Sequence, residues 1–251
     1  PDFEKMCQDF VELRKGKNTL AEAKEILQDV SYFGTMLVYE GKANGMVSGA
    51  THSTANTVRP ALQIIKTKKG MCRVSGAMIM ERGDEKYIFA DCAINIDPDS
   101  ETLAEIAYQS SKTAEMIGLD PKIAMLSFST KGSAKGAMVT KVQDATNLVH
   151  QKYPDLVCDG ELQFDAAIVP RVGEAKAPGS AVAGHANVFI FPELQSGNIS
   201  YKVAERLGGF SAIGPVLQGL AAPINDLSRG CKTEDVYLLA ILTAAQANME
   251  K

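Results

Sequence analysis

Apolar residues in the first part of the chain recur at the spacing of an α-helix. Met6 and Phe10 fall on one face of such a helix, and this periodicity is the main sequence signal for helical structure. Thr19 followed by Glu22 has the pattern of a capping box, in which each side chain accepts a hydrogen bond from the other residue's backbone amide. We therefore predict a mostly helical structure over residues 1–45.

Short apolar runs replace the helical spacing from about Met71 onward. The runs at 73–80 and 87–96 are separated by Gly83 and Asp84, which predicts a β-hairpin. The rest of the pattern predicts a helix at 101–117 with Ser100 as N-cap, a strand at 123–128, a helix at 137–152, strands at 166–169 and 188–191, a helix at 198–207, a strand at 212–218 and a helix at 233–247 with Thr233 as N-cap. Such alternation is typical of an α/β fold with mostly parallel sheets flanked by helices.

The changes of pattern near Gly70 and Gly219 also mark candidate domain boundaries. The first domain would comprise residues 1–70 and 219–251, and the second domain, 71–218, would be inserted into it. We expect two interleaved domains with the ligands held in the cleft between them.

Composition and charge narrow the class of protein. The chain has 251 residues, of which 45% are hydrophobic and 22% charged, with a formal net charge of -4. An acidic balance gives no reason to expect nucleic acid or an anionic membrane as a partner. The five cysteines form no C-x-x-C pair, so we expect reduced thiols and a cytoplasmic protein. The first residues lack the features of a signal peptide, and no apolar run is long enough to span a membrane.

Two small-residue loops are candidates for ligand binding. Residues 131–136 combine Lys131 and Lys135 with glycines before a predicted helix, but without the spacing of a P-loop. Phosphate binding and a plain solvated turn both remain open for this loop. The stretch 178–187 also consists mostly of small residues. Tight packing explains these small residues as well as the close approach of a ligand does. The scattered histidines have no carboxylate at metal-ligand spacing, so we expect no metal site.

The segment from Asn225 to Asp235 places a turn with an arginine directly before a helix. A helix N-terminus together with Arg229 favours an anion, and the same field favours the carboxylate form of Asp235. Ligands of α/β proteins gather at such strand ends. From spacing alone, however, a favourable first-turn acid is the better explanation of Asp235, and a turn residue that of Ser228.

Several segments together resemble the phosphate acetyltransferase (phosphotransacetylase) family over essentially the whole chain. The clearest is Asn-Asp-Leu-Ser-Arg-Gly-Cys at 225–231, followed by Glu234 and Asp235. Further resembling segments are V-S-G-A-T-H-S-T at 47–54, R-P-A-L-Q-I-I-K at 59–66, G-E-L-Q-F-D-A-A at 160–167 and F-P-E-L-Q-S-G-N at 191–198. The resemblance implies a fold related to that of isocitrate dehydrogenase.

The resemblance also implies an activity: reversible acetyl transfer between acetyl phosphate and coenzyme A, without a tightly bound cofactor. Asp235 matches the proposed base, Ser228 a residue that orients the thiol or stabilises an oxyanion, and Arg229 a residue on the phosphate side. Direct transfer in a ternary complex is expected, with Cys231 as a bystander. The expected substrate-binding residues are Arg206, Arg59, Ser48, Thr51, Lys131 and Asn225.

Other interpretations remain open at this point. The catalytic residues do not define the acyl chain, so a phosphate butyryltransferase is an alternative, and so is a non-catalytic regulatory domain of the same family. Family members carry a further N-terminal stretch of the first domain, which we expect to be missing here. The family also suggests a homodimer, with coenzyme A, acetyl phosphate and inorganic phosphate as partners.

Overall fold

A computed structural model describes residues 2–249 of the chain. The strands are β1 (Met46–Gly49), β2 (Ser75–Arg82), β3 (Glu85–Ala90), β4 (Ile123–Leu126), β5 (Cys158–Leu162), β6 (Val188–Ile190), β7 (Ser211–Gln218) and β8 (Ile224–Leu227). The helices are α1 (Phe3–Leu13), α2 (Leu20–Ile26), α3 (Val30–Tyr39), α4 (Thr54–Pro60), α5 (Ser100–Met116), α6 (Ala137–Lys152), α7 (Phe164–Ile168), α8 (Pro170–Lys176), α9 (Leu194–Arg206) and α10 (Thr233–Met249). A π-helical turn, Ala61–Ile65, continues α4.

The described residues divide into two compact units, one formed by residues 2–71 with 219–249 and the other by Cys72–Gln218. In the first unit, β1 and β8 form a parallel pair. The prediction of an early helical region is confirmed by α1 to α3. The capping box is confirmed as well: Thr19 Oγ1 accepts from Glu22 N at 3.2 Å, and Glu22 Oε2 accepts from Thr19 N at 2.8 Å.

The second unit is built on a six-stranded sheet in the order β5-β4-β6-β3-β2-β7. The pairs β5-β4, β4-β6 and β6-β3 are parallel, while β3-β2 and β2-β7 are antiparallel. This confirms both the α/β class with a mostly parallel sheet and the predicted hairpin. One core cluster is rich in aromatic rings, with Phe89 5.5 Å from Phe189 and 5.2 Å from Phe191 between centroids.

One predicted strand is wrong. Residues 166–169 belong mostly to α7, and the strand of this region is β5, which the sequence pattern did not reveal. A short apolar run does not distinguish a strand from a buried helix by itself. Pro170 then begins α8, as the fixed φ of proline allows at a first helical position.

Several boundaries also differ from the predictions. The second hairpin strand ends at Ala90 because Asp91 turns its carboxylate to the backbone amides of the following residues, with Oδ1 2.8 Å from Ala93 N. The N-cap of α5 is Asp99 rather than Ser100. Strand β4 stops at Leu126, α9 begins at Leu194, and α10 begins with Thr233 as its first residue rather than its N-cap.

The described residues contain neither a candidate membrane-spanning helix nor a candidate metal-binding group. Over residues 2–249, no helix combines the length and apolar character needed to cross a membrane. In the same part of the chain, no three His, Cys, Asp or Glu side chains are grouped so that they could hold a metal ion.

Candidate active site

The carboxyl ends of β1 and β8 lie side by side in the first unit. Gly49 pairs with Leu227 across the two strands, and Ala50 N donates to Leu227 O at 3.0 Å. The loops 50–53 and 228–232 therefore leave the same edge of the two-stranded sheet. This is the edge at which α/β proteins collect their ligand-binding side chains.

Gly49 permits the close approach of the two strands. Its φ is +103°, and a Cβ at this position would stand 2.5 Å from Leu227 N and 2.8 Å from Asp226 Oδ1. Any larger residue would meet both a disfavoured backbone conformation and two fixed groups. The edge that carries the candidate site thus depends on a glycine in the segment 47–54.

The connection from β8 to α10 carries the three predicted catalytic side chains. Ser228 O accepts from Cys231 N at 3.1 Å, which closes a turn that exposes Ser228 and Arg229. Asp235, half-buried in the first turn of α10, accepts from Lys232 N at 2.6 Å through Oδ2. This is half of a capping box, and the bond also fixes the carboxylate beside the turn.

Asn225 lies inside the first unit rather than at its surface. The residue is fully buried on β8, and its Nδ2 donates to Thr243 Oγ1 at 2.8 Å and to Gln246 Oε1 at 2.6 Å. The expectation that Asn225 contacts the substrate stays a prediction. Its amide fastens β8 to α10, the helix that carries Asp235.

Asp226 brings a buried carboxyl group under the same edge. Thr57 Oγ1, on α4, donates to Asp226 Oδ1 at 2.6 Å, whereas Oδ2 has no hydrogen-bond partner within the described part of the chain. Burial raises the pKa of Asp226, although the hydrogen bond from Thr57 acts to lower it. The side chain of Thr54 acts on the pKa of Asp226 in the same direction as that of Thr57.

Ser48 takes part in a polar cluster with two residues that the sequence analysis left without a role. Ser48 Oγ is 3.1 Å from Ser31 Oγ and 3.2 Å from His52 Nε2, and Ser31 Oγ is 3.3 Å from the same nitrogen. Ser31 is buried at the start of α3, whereas Ser48 and His52 are half-buried. The cluster stands at the carboxyl end of β1.

Two further predicted ligand residues of the first unit are exposed. Thr51 lies in the loop after β1, and Arg59 lies in the last turn of α4, two residues beyond Thr57. The bond from Thr57 to Asp226 therefore connects the Arg59 helix to the strand that leads into Ser228. Within the first unit, the structure joins the elements that carry these predicted residues.

Lys131 and Arg206 belong to the second unit and are both exposed. Lys131 forms an ion pair with Asp159 and donates to Gly160 O at 3.2 Å. Arg206 is the last residue of α9, where its guanidinium lies 3.4 Å from Glu205. Lys131 is thus held by an internal partner, while Arg206 presents a side chain that is 73% exposed.

The small-residue loop before α6 directs backbone amides inward. Gly132 N donates to Glu161 Oε1 at 2.7 Å, and Ala134 N donates to Ser129 Oγ at 3.0 Å. Burial acts to raise the pKa of Glu161, but hydrogen bonds from Gly132, Ser129 and Gln143 hold it below its ordinary value. The loop is therefore built around a buried carboxylate, which favours the plain-turn interpretation over a phosphate cradle.

The functional candidates that sequence reasoning missed are His52, Asp226 and Thr57. All three lie within or next to the resembling segments, yet their contacts join residues far apart in the chain. The signal that was available is a polar residue, Asp226, between the apolar Ile224 and Leu227 of a buried strand.

Comparisons with known proteins identify the family of the chain. The family model described as phosphate acetyl/butaryl transferase matches residues 1–244. A phosphate acetyltransferase of Bacillus subtilis (strain 168) is 63% identical over 245 residues, which are 98% of this chain and 76% of the relative. A phosphate acetyltransferase of Staphylococcus aureus (strain Mu50 / ATCC 700699) is 64% identical over 246 residues, covering 96% of this chain and 75% of the relative.

A solved structure gives the same result. The crystal structure of a phosphotransacetylase from Streptococcus pyogenes superposes with a TM-score of 0.96 at 63% identity, covering 99% of this chain and 76% of that one. Sequence and fold therefore agree over nearly the whole chain. The chain belongs to the phosphate acetyl/butaryl transferase family and is an acyltransferase.

Proposed function

We propose that this protein is a phosphate acetyltransferase, which moves an acetyl group reversibly between acetyl phosphate and coenzyme A. The observation that carries the proposal is the turn from β8 to α10, which sets Ser228, Arg229 and Asp235 at one strand edge. Relatives that share this chain's sequence and fold are named for the same activity.

Asp235 is the proposed base. A free thiol has a pKa of about 8.5 and is only slightly ionised at neutral pH, so its attack on an acyl group requires removal of the proton. The backbone N–H of Lys232 donates to Asp235 Oδ2 at 2.6 Å and holds the carboxylate beside the turn. The thiol proton passes to this carboxylate as the sulfur–carbon bond forms.

Ser228 and the basic residues stabilise the charges that develop on the substrate. The Ser228 hydroxyl donates to the carbonyl oxygen of the acyl group or orients the thiol. The Arg229 guanidinium neutralises the phosphate as the carbon–oxygen bond breaks and the bonding electrons pass to the leaving oxygen. Arg206, Arg59, Thr51 and Lys131 supply the remaining proposed contacts to the two substrates. Asn225 acts indirectly, through the position of α10.

The decisive experiment compares the parent protein with Asp235→Asn. Coenzyme A-dependent release of phosphate from acetyl phosphate should be present in the parent and about 100-fold or more slower in the variant. Glu234→Gln is the matched control, because Glu234 is an exposed acid of the same helical turn. A parent protein without activity would contradict the proposed function and favour a regulatory domain, whereas an active Asp235→Asn variant would contradict only the assignment of the base.

We also propose direct transfer rather than an acetylated enzyme intermediate. Cys231, the half-buried cysteine of the turn, is the nearest thiol in sequence to the catalytic residues. Cys231→Ala should therefore keep most of its turnover. Mass spectrometry after rapid mixing with acetyl phosphate alone tests the mechanism: acetylated protein formed as fast as turnover would require two steps.

The acyl chain is proposed to be acetyl, although the family description covers butyryl transfer as well. A series of acyl phosphates from acetyl to butyryl and branched-chain species separates the two. The highest kcat/KM should belong to acetyl phosphate. A preference for butyryl phosphate would identify the protein as a phosphate butyryltransferase. The proposed roles of Ser228, Arg229 and Asp235 would stay the same.

The cellular setting and assembly belong to the same proposal. We propose a cytoplasmic homodimer without a tightly bound cofactor, in which coenzyme A, acetyl phosphate and inorganic phosphate are exchangeable substrates. Sedimentation equilibrium should give twice the mass of one chain. Mass spectrometry of the purified protein under native conditions should show no retained organic group.

A further inference from the structure

Ser31, Ser48 and His52 form a closed triangle of polar atoms in the first unit. The three edges are 3.1 Å between the serine oxygens, 3.2 Å from Ser48 Oγ to His52 Nε2 and 3.3 Å from Ser31 Oγ to the same nitrogen. All three distances are within hydrogen-bond reach. Ser31 is only 2% exposed, so the half-buried Ser48 is the serine of the triangle that a ligand can reach.

A contact with the backbone favours one tautomer of the His52 ring. His52 Nδ1 lies 3.1 Å from the carbonyl oxygen of Ser53. A carbonyl oxygen only accepts hydrogen bonds, so this contact is a hydrogen bond in the tautomer that carries the ring hydrogen on Nδ1. The other nitrogen, Nε2, is then an acceptor, and the donors facing it in the triangle are the hydroxyl groups of Ser31 and Ser48.

This tautomer decides where the serine hydrogens point. The triangle has three edges but only two hydroxyl hydrogens, and one of them must be donated to Nε2. If Ser48 donates to the ring, Ser31 donates to Ser48; if Ser31 donates to the ring, Ser48 donates to Ser31. With both hydroxyl hydrogens donated inside the triangle, as these two arrangements have them, Ser48 presents only oxygen lone pairs to a ligand.

We propose that His52 is a positioning residue of the acyl-transfer site, which acts through Ser48 and makes it an acceptor for coenzyme A rather than a donor to acetyl phosphate. Ser48 lies directly before Gly49 and opposite Asp226, at the edge from which the Ser228 turn departs. This role rests on the proposed function and makes coenzyme A the substrate that Ser48 recognises.

The chemistry of the two substrates supports the choice. At neutral pH the phosphoryl group of acetyl phosphate presents acceptor oxygens, which an oxygen without a free hydrogen does not bind. Coenzyme A carries amide N–H groups in its pantetheine arm and a thiol S–H at its end, and all of these donate. An acceptor held rigidly by His52 therefore matches coenzyme A.

The test is steady-state kinetics with each substrate varied at saturation of the other. In Ser48→Ala and in His52→Ala, the KM for coenzyme A should rise about five- to tenfold, as expected for one lost neutral hydrogen bond. The KM for acetyl phosphate and the value of kcat should stay within about twofold in both variants. His185→Gln is the matched control, since His185 is an exposed histidine of the second unit.

A double variant tests whether His52 acts through Ser48. If it does, Ser48→Ala/His52→Ala should have the same KM for coenzyme A as Ser48→Ala alone. Additive effects, an increase confined to the KM for acetyl phosphate, or unchanged kinetics would each overturn the inference. If His52→Ala does not fold, as judged by thermal denaturation, Ser48→Ala alone decides which KM changes. A parent protein without any activity would instead contradict the proposed function.

Discussion

At the scale of single residues, Asp226 places a carboxyl group where water does not reach it. Burial raises its pKa, so the folded state holds this proton more tightly than the unfolded state does. As pH rises above about 3.9, the ordinary aspartate value, the unfolded chain loses the proton first. This group therefore stabilises the fold at low pH, and its contribution is lost as pH rises through the folded-state value.

Asp226→Asn should remove this pH dependence. The asparagine keeps an oxygen for the Thr57 hydroxyl and stays neutral, so the variant should gain stability relative to the parent between about pH 4 and neutral pH. The gain should amount to about 1.4 kcal/mol for each pH unit by which burial raises the folded-state pKa above its ordinary value. Thermal denaturation at a series of pH values measures it, and a difference that does not vary with pH would contradict the prediction.

Asp99 provides a control with the opposite sign. The hydrogen bonds from the side chain and the backbone of Thr102 lower the pKa of Asp99, the N-cap of α5. Its contribution to stability is present above the ordinary aspartate pKa and is lost as pH falls through the lowered value. Asp99→Asn should thus be less stable than the parent at neutral pH, and the gap should close on acidification.

At the scale of elements, the pairing of β1 with β8 depends on Gly49. Gly49→Ala should destabilise the protein by more than about 2 kcal/mol, because it adds a backbone clash to an unfavourable φ. Gly41→Ala separates the two effects: Gly41 has a φ of +69°, but a Cβ added there would have no atom of the described residues within 4 Å. Chemical denaturation should show a smaller loss of unfolding free energy for Gly41→Ala than for Gly49→Ala. Equal losses would show that the close approach of Gly49 to Leu227 and Asp226 is not the cause.

The sequence predicted elements well where they are long or regularly patterned. The α5 and α6 helices and the β2-β3 hairpin were predicted because their periodicity extends over many residues. By contrast, β1 and β8 are short strands that contain Ser48, Asn225 and Asp226, so they lack an apolar run. Parallel pairing between segments so far apart leaves no local pattern, and neither do the Thr57–Asp226 bond and the His52 triangle.

The catalytic residues show a different limit. Spacing alone left Ser228 as a turn residue and Asp235 as a first-turn acid, and the structure does place Asp235 in the first turn of α10 with a hydrogen bond from Lys232 N. The resemblance to a family supplied their proposed roles. Resemblance also does not indicate whether a side chain faces a ligand or a neighbouring helix, and the amide of Asn225, in the same segment, donates to Thr243 and Gln246 of α10.

At the scale of the whole molecule, the ends of the second unit meet within that unit. Ser75 of β2 pairs with Gln218 of β7, so the segment leaves the sheet close to where it entered. In the first unit, the two chain segments on either side of the second unit are also joined, because Lys68 N donates to Gly219 O at 2.8 Å. Adjacent ends are typical of an inserted domain that folds by itself.

A fragment of residues 72–218 should therefore fold alone. The fragment contains the entire six-stranded sheet and an aromatic-rich core cluster, so its circular dichroism should be that of an α/β protein and its thermal unfolding cooperative. A fragment of residues 72–210 is the matched control, because it lacks β7 and leaves one side of β2 unpaired. If the longer fragment unfolded without cooperativity, the inserted-domain proposal would be contradicted; if both fragments melted alike, the sheet would not need β7 as its closing strand.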